Sequence, residues 1–206
     1  MTYTFPHEHI FIRSKSSDQT NVLILFHGTG GNERDLIHLA ENIAPDYNYF
    51  GVRGNVNEGG MPRFFRRLAE GVFDEADIIE RASQLNSFLT EAAQEYGFDL
   101  SQSAALGYSN GANIISAINF LHAGTFSKSI LLRPMTPLIP VVTPDLSGHK
   151  AMLSFGTHDP LMPPGEVDKL SGLYQNYGAK TKVQIQHAGH QLMQNDVIHA
   201  SEFISE

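Results

Sequence analysis

The chain of 206 residues contains no cysteine. This absence excludes a disulfide framework, a metal site built from thiolates and a cysteine nucleophile. The histidines and carboxylates also lack the spacing that metal ligands have along a chain. We therefore expect neither a metal nor any other cofactor.

Basic residues are scarce as well. The chain has 14 Lys and Arg against 22 Asp and Glu, which gives a formal net charge of −8. This balance argues against general binding to nucleic acid or to anionic membranes. The acidic residues are spread along the sequence, so we interpret the negative charge as a contribution to solubility.

Long apolar runs are missing too. No segment approaches the roughly 20 apolar residues that a membrane-spanning helix needs, and residues 1–9 lack a basic region followed by an apolar run. We therefore expect a cytoplasmic protein without membrane insertion.

The apolar residues that are present form short runs that alternate with helical patterns. Strands are predicted at residues 9–13, 21–26, 47–52, 103–108, 127–132, 150–155 and 181–186. Helices are predicted at residues 33–43, 74–96, 110–122, 165–177 and 196–203, with a polar turn at 14–20 and a Gly- and Arg-rich loop at 53–67. This alternation predicts a single domain over residues 1–206 with an α/β fold and a mostly parallel sheet.

The segment Gly107-Tyr-Ser109-Asn-Gly111 lies between a predicted strand and a predicted helix. In such a sharp turn the serine hydroxyl projects from the backbone, and the glycines let strand and helix approach closely. The turn also puts the backbone N–H of Asn110 at a helix N-terminus, which favours developing negative charge. Ser109 is therefore a candidate nucleophile.

Two further reactive groups follow predicted strands: Asp159 in Gly156-Thr-His-Asp159, and His190 in His187-Ala-Gly-His190. Reactive groups of an open parallel sheet gather at the carboxyl ends of its strands. A serine hydroxyl needs an adjacent base, and a carboxylate can orient an imidazole for that role. The chain order Ser109, Asp159, His190 is that of an α/β-hydrolase triad.

These motifs, together with Leu25-Phe-His-Gly-Thr-Gly-Gly-Asn-Glu33, resemble the phospholipase/carboxylesterase branch of the α/β-hydrolase superfamily. The resemblance runs across nearly the whole chain. It implies an α/β-hydrolase fold, hydrolysis of ester bonds and, within this family, a possible homodimer. Residues 53–54, 60–67 and 71–74 further resemble a bacterial subgroup associated with hydroquinone-type stress. Asn110 departs from the tryptophan or glutamine that many esterases of the superfamily have after Gly-x-Ser.

The oxyanion hole is expected to use two backbone donors. One is the N–H of Asn110, and the other comes from the glycine-rich loop after the second strand, with Thr29 favoured. His27 is expected to brace that loop. His187 is the nearest rival of His190 as the base, and His158 could shape the site. Asp145 and Asp168 are weaker rivals of Asp159, because neither follows a predicted strand.

Substrate contacts are harder to read from the sequence. Met135, Leu161 and Met162 follow strand ends and are candidates for the wall of an acyl pocket. His27, Gly28, Arg53 and Phe64 are further candidates for substrate binding. Arg53, Arg63, Arg66 and Arg67 could bind an anionic group, or they could pair with Glu58, Glu70 and Asp74.

The segment between the strand at 127–132 and Asp159 is too short for a helical lid domain. This indicates a minimal fold with an open cleft, suited to small or medium acyl groups. The favoured function is a carboxylesterase that acts through an acyl-enzyme. An acyl-thioesterase or a lysophospholipase would use the same triad, and the distant alternative is a binding module without turnover.

Overall fold

The computed structural model describes residues 7–15 and 20–206, so most of the predicted turn at 14–20 lies outside the described residues. The strands and helices are β1 (His9–Ile12), β2 (Val22–Phe26), α1 (Ile37–Ile43), β3 (Asn48–Val52), β4 (Val56–Glu58), β5 (Met61–Arg63), β6 (Arg67–Ala69), β7 (Val72–Phe73), α2 (Glu75–Tyr96), β8 (Ala104–Tyr108), α3 (Asn110–Leu121), β9 (Lys128–Leu132), β10 (Lys150–Gly156), α4 (Glu166–Asn176), β11 (Lys180–Gln186) and α5 (Gln194–Ser205).

Seven of these strands form the central sheet, in the order β1-β3-β2-β8-β9-β10-β11. Strand β1 runs antiparallel to β3, and the other neighbours are parallel. The predicted α/β fold with a mostly parallel sheet is therefore confirmed. Strands β2 and β8 are parallel neighbours near the middle of the sheet, so their carboxyl ends lie side by side.

Helices cover both faces of the sheet, because successive side chains of a strand point to opposite faces. Ile24 packs in one apolar cluster with residues of α2, α3 and α4, whereas Leu25 packs in the other with residues of α1 and α5. All five residues of β2 are buried. A strand buried on both faces explains the continuous apolar run at this place in the sequence.

Helix α2 begins and ends where its capping residues predict. The Asp74 carboxylate accepts a hydrogen bond from the backbone N–H of Asp77 at its N-terminus. Gly97 has φ 77° at its C-terminus, a left-handed conformation that glycine adopts without strain.

Helix α1 is shorter than predicted, since it begins at Ile37 and not at Glu33. The side chain of Asn32 accepts a hydrogen bond from the backbone N–H of Arg34 and donates one to Asp35. Such side-chain bonds offer the backbone a turn in place of the first helical residues.

The predicted loop at 53–67 is wrong in part, because it contains one short ribbon, formed by β4 and β5, and the first residue of a second ribbon, formed by β6 and β7. Strands β4 and β5 form an antiparallel hairpin, and β6 pairs with β7. Gly59 and Gly60 connect β4 to β5 with φ 60° and 90°. Two positive φ values in a two-residue hairpin loop match the right-handed twist of the strands, so the Gly-Gly pair was the signal for this hairpin.

Candidate active site

Ser109 lies between the end of β8 and the start of α3, with φ 53° and ψ −114°. A non-glycine residue in this region is strained, and such strain is concentrated at functional sites. The turn depends on the flanking glycines: a Cβ on Gly111 would overlap the carbonyl oxygen of Phe26, and one on Gly107 would lie 2.6 Å from Gly111. The sharp turn predicted from Gly-x-Ser-x-Gly is therefore present.

Ser109, His190 and Asp159 form a continuous hydrogen-bonded chain. His190 Nε2 lies 3.0 Å from Ser109 Oγ, and His190 Nδ1 lies 2.7 Å from Asp159 Oδ2. Since an ionised carboxylate only accepts hydrogen bonds, Nδ1 carries the proton and Nε2 is free to accept from the serine hydroxyl. The other carboxylate oxygen of Asp159 accepts from the N–H of Leu161 at 2.9 Å.

The backbone around His190 is held by hydrogen bonds to three successive carbonyl oxygens. Arg133 donates from Nε to Gly189 and from Nη2 to Gln191, and Tyr108 donates its hydroxyl to His190 at 3.0 Å. Burial raises the pKa of Tyr108, so this hydroxyl stays protonated as a donor. These bonds fix the direction from which the imidazole meets Ser109.

Two backbone donors near Ser109 are unused. The N–H groups of Thr29 and Asn110 make no hydrogen bond to the residues that the structure describes. Around them the hairpin of β4 and β5 holds the loop in position, since Gly30 donates to the carbonyl of Pro62 and Arg63 donates to the Thr29 hydroxyl.

A cleft of about 60 Å³ opens beside Ser109. Its walls come from the glycine-rich loop, the two ribbons, the start of α3 and the segments after β9 and β10. The residues that line it are Thr29, Arg63, Arg67, Glu70, Gly71, Phe73, Ser109, Asn110, Asn113, Met135 and Leu161.

Comparison with known proteins identifies the chain's relatives. The sequence profile of the family described as Phospholipase/Carboxylesterase matches residues 7–206. The chain belongs to this family. It is 42% identical over 199 residues to the Bacillus subtilis (strain 168) protein named "Putative hydrolase MhqD". The alignment covers 97% of this chain and 98% of that protein.

Solved structures agree with the family assignment. A carboxylesterase from Bacillus cereus is 42% identical, superimposes with a TM-score of 0.93, and matches 97% of this chain and 94% of its own. A carboxylesterase from Mesorhizobium loti is 31% identical with a TM-score of 0.86, over 91% and 90% of the two chains. The expected α/β-hydrolase architecture and a carboxylic ester hydrolase are thereby confirmed.

Five of the residues predicted for the family's site meet at the cleft, namely Thr29, Ser109, Asn110, Met135 and Leu161. The candidate substrate contacts His27, Gly28, Arg53, Phe64 and Met162 do not line it. Arg53 pairs with Glu8 and Glu33 instead. Met162 packs against the core.

His27 and Phe64 serve the framework behind the cleft. Phe64 is fully buried and packs against His27 with the two rings tilted and their centroids 4.8 Å apart. His27 donates from Nδ1 to the Gly28 carbonyl and accepts at Nε2 from the N–H of Gly54. Burial lowers the pKa of His27 and so favours the neutral ring that this pattern requires. The predicted role of His27 as a brace for the loop fits these contacts.

The rival residues lie elsewhere. His158 and His187 are exposed and contact each other, with ring centroids 4.5 Å apart. Asp145 and Asp168 are also exposed. None of the four hydrogen-bonds to Ser109 or His190 within the described part of the chain.

Sequence reasoning missed Asn113, Phe73 and Arg133. Asn113 follows Ser109 by four positions, so it lies on the same face of α3, and that spacing could have revealed it. Phe73 comes to the cleft only because β6 and β7 form a ribbon. Arg133 acts through partners more than 50 residues away in sequence, which no local pattern shows.

Within residues 7–15 and 20–206, no group of three or more His, Cys, Asp or Glu could hold a metal ion. No helix there combines the length and the apolar character that crossing a membrane requires.

Proposed function

We propose that this protein is a serine carboxylesterase in which Ser109 is the nucleophile, His190 the general base and Asp159 the group that orients the imidazole. The observation that carries the proposal is the pair of distances from His190, 3.0 Å to Ser109 Oγ and 2.7 Å to Asp159 Oδ2. Both are within the reach that proton transfer requires. The strained backbone of Ser109 supports it as well.

In the first stage, Ser109 Oγ attacks the ester carbonyl while His190 Nε2 takes the hydroxyl proton. The carbonyl oxygen becomes an oxyanion, and the Asp159 carboxylate stabilises the imidazolium. When the tetrahedral intermediate collapses, the bond to the alcohol oxygen breaks and His190 gives its proton to that oxygen. The products of this stage are the free alcohol and an acyl-enzyme on Ser109.

In the second stage, a water molecule takes the place of the alcohol. His190 removes a proton from the water as it attacks the acyl carbonyl, and the second intermediate collapses with return of that proton to Ser109 Oγ. The carboxylic acid leaves and the serine is regenerated. Each proton taken by His190 is therefore given back within its own stage, and no further reactant is needed.

The N–H groups of Thr29 and Asn110 are the proposed oxyanion donors. Both lack another partner among the described residues, and that of Asn110 lies at the N-terminus of α3, where the helix dipole favours negative charge. One such donor contributes about 3–4 kcal/mol to transition-state stabilisation. The hairpin bonds to Thr29 and Gly30 hold this donor in place before the substrate arrives.

The cleft supports short acyl substrates. Its volume is about 60 Å³, and residues 133–149, where a helical lid could stand, contain no helix. The side chains of Met135 and Leu161 supply its apolar wall.

A series of p-nitrophenyl esters from acetate to palmitate tests the substrate range. We expect kcat/KM to be highest for acetate or butyrate and to fall steadily with chain length, because longer chains extend beyond the cleft. A maximum at palmitate would contradict the carboxylesterase assignment and favour a lysophospholipase or an acyl-thioesterase. Thioester substrates of matched acyl length then separate those two activities.

A further inference from the structure

The wall of the cleft presents donor groups whose acceptor partners are missing. Asn113 uses its amide oxygen to accept from the backbone N–H of Met135 at 2.7 Å, so its NH₂ group is the free end. Asn110 uses its amide oxygen to accept from the N–H of Phe64 at 2.8 Å. Its Nδ2 is buried without any hydrogen-bond partner in the described structure. Because that nitrogen is closed off from the surface, the amide donor open to a ligand is the NH₂ group of Asn113.

Two guanidinium groups lie in the same wall. Arg67 donates from Nε to Glu58 at 2.8 Å, and neither of its terminal nitrogens hydrogen-bonds to a described residue. Arg63 is almost fully buried, and its Nη1 donates to the Thr29 hydroxyl at 2.6 Å. Its Nε also contacts Glu58, at 3.2 Å, so one carboxylate is shared by two cations.

Two carboxylates, Glu58 and Glu70, equal Arg63 and Arg67 in number, so the surroundings of the cleft carry no surplus of positive charge. Glu58 is not one of the residues that line it. Glu70 does line it, but its side chain is exposed and makes no ion pair with a described residue. The inner wall therefore offers two kinds of unpaired donor, the terminal nitrogens of Arg67 and the NH₂ group of Asn113. Carboxylates satisfy both, because they accept several hydrogen bonds and pair with the planar guanidinium fork.

We propose that this cleft recognises a carboxylate on the substrate, and that the enzyme prefers monoesters of short dicarboxylic acids over neutral esters of the same length. The inference rests on the proposed esterase function and names its substrate class. Arg67 is the principal contact, since its terminal nitrogens are free and 28% of its side chain is exposed. The side-chain amide of Asn113 completes the donor set.

The test compares monoethyl succinate with diethyl succinate in a pH-stat at low ionic strength. The two esters share an acyl chain and differ in the charge at its end. We expect wild-type kcat/KM to favour the monoester by about tenfold, as a charge-assisted hydrogen bond predicts. In Arg67→Gln the ratio of the two kcat/KM values should fall by about tenfold. Added salt should lower the wild-type ratio, because it screens a partly exposed charge.

Arg66→Gln is the matched control. Arg66 is a neighbour of the same type, 60% exposed, and it pairs with Asp74 and Asp77 away from the cleft. Its variant should keep the wild-type ratio. A ratio that is the same in wild type and Arg67→Gln would overturn the carboxylate site and leave the esterase intact.

Calorimetric titration with succinate answers the same question without turnover. Wild type should bind succinate about tenfold more tightly than Arg67→Gln does, and equal affinity or no binding would overturn the site. The absence of turnover on both esters, with succinate still bound, would instead contradict the proposed esterase function. The two failures are thus distinguishable.

Discussion

Replacement of Ser109 by alanine is expected to lower kcat for p-nitrophenyl acetate by about 10⁶-fold, because a triad without its nucleophile retains only the contribution of binding and the oxyanion hole. The substitution removes a single oxygen and keeps the Cβ, so the fold should be unaffected. Initial rates at saturating substrate give kcat directly, and circular dichroism shows whether the variant is folded.

Ser87→Ala is a suitable control for this variant. Ser87 is an exposed serine on α2 that does not line the cleft, and its replacement should leave kcat at the wild-type value. If Ser109→Ala retained even a tenth of the wild-type kcat, the nucleophile would have to be another group.

The second large effect concerns the buried ion pair of Arg133 and Asp196. Both side chains are fully buried, and Arg133 Nη1 and Nη2 bind the two carboxylate oxygens at 3.1 and 2.8 Å. Arg133→Met leaves the Asp196 charge without its partner, which costs about 3–5 kcal/mol of unfolding free energy. For a chain of this length we expect Tm to fall by about 10 °C. Differential scanning calorimetry measures the shift.

The double variant Arg133→Met, Asp196→Leu separates charge from positioning. It removes both charges, so part of the lost stability should return. Its kcat should nevertheless stay well below wild type, since Gly189 and Gln191 lose the donor that fixes the loop of His190. If the single variant Arg133→Met had the Tm of wild type, the ion pair would contribute little to the free energy of unfolding. Wild-type kcat in the double variant would show that the loop needs no such support.

The elements that sequence reasoning predicted are those whose cause is local. Strand β2 is a run of five buried apolar residues, and α2 has a capping aspartate and a terminal glycine. The sharp turn around Ser109 follows from two glycines, Gly107 and Gly111, that tolerate no Cβ at their positions. In the strand and the helix neighbouring residues alone determine the backbone, whereas at the turn the carbonyl oxygen of Phe26 adds a contact from a distant segment.

The candidate site could be predicted to the same extent. Ser109, Asp159 and His190 each follow a strand, and the parallel sheet brings strand ends to one edge. Their positions after predicted strands were therefore enough to predict that the three side chains lie close together. The Gly-Gly pair between β4 and β5 was a comparable local signal for a hairpin. It was overlooked because the many arginines of residues 53–67 favoured the interpretation as a loop.

Arg133 and Phe64 escaped prediction because their contacts join distant parts of the chain. Arg133 holds the loop of His190 by bonds to residues 56 and 58 positions later. Phe64 is adjacent in sequence to the cleft-lining Arg63 but turns into the core against His27. The side to which a residue turns is decided by the register of a ribbon, and nothing in the local pattern of residues 53–67 fixes that register.

Reaction with a fluorophosphonate, followed by intact-mass spectrometry and peptide mapping, tests the central claim most directly. Only a serine activated by a neighbouring base attacks such a phosphorus centre, with loss of fluoride. We predict one phosphonyl group per chain, carried by the peptide that contains Ser109, and no adduct in Ser109→Ala. A folded wild-type protein that stays unlabelled, or a label on a different residue, would contradict the assignment of Ser109 as the nucleophile.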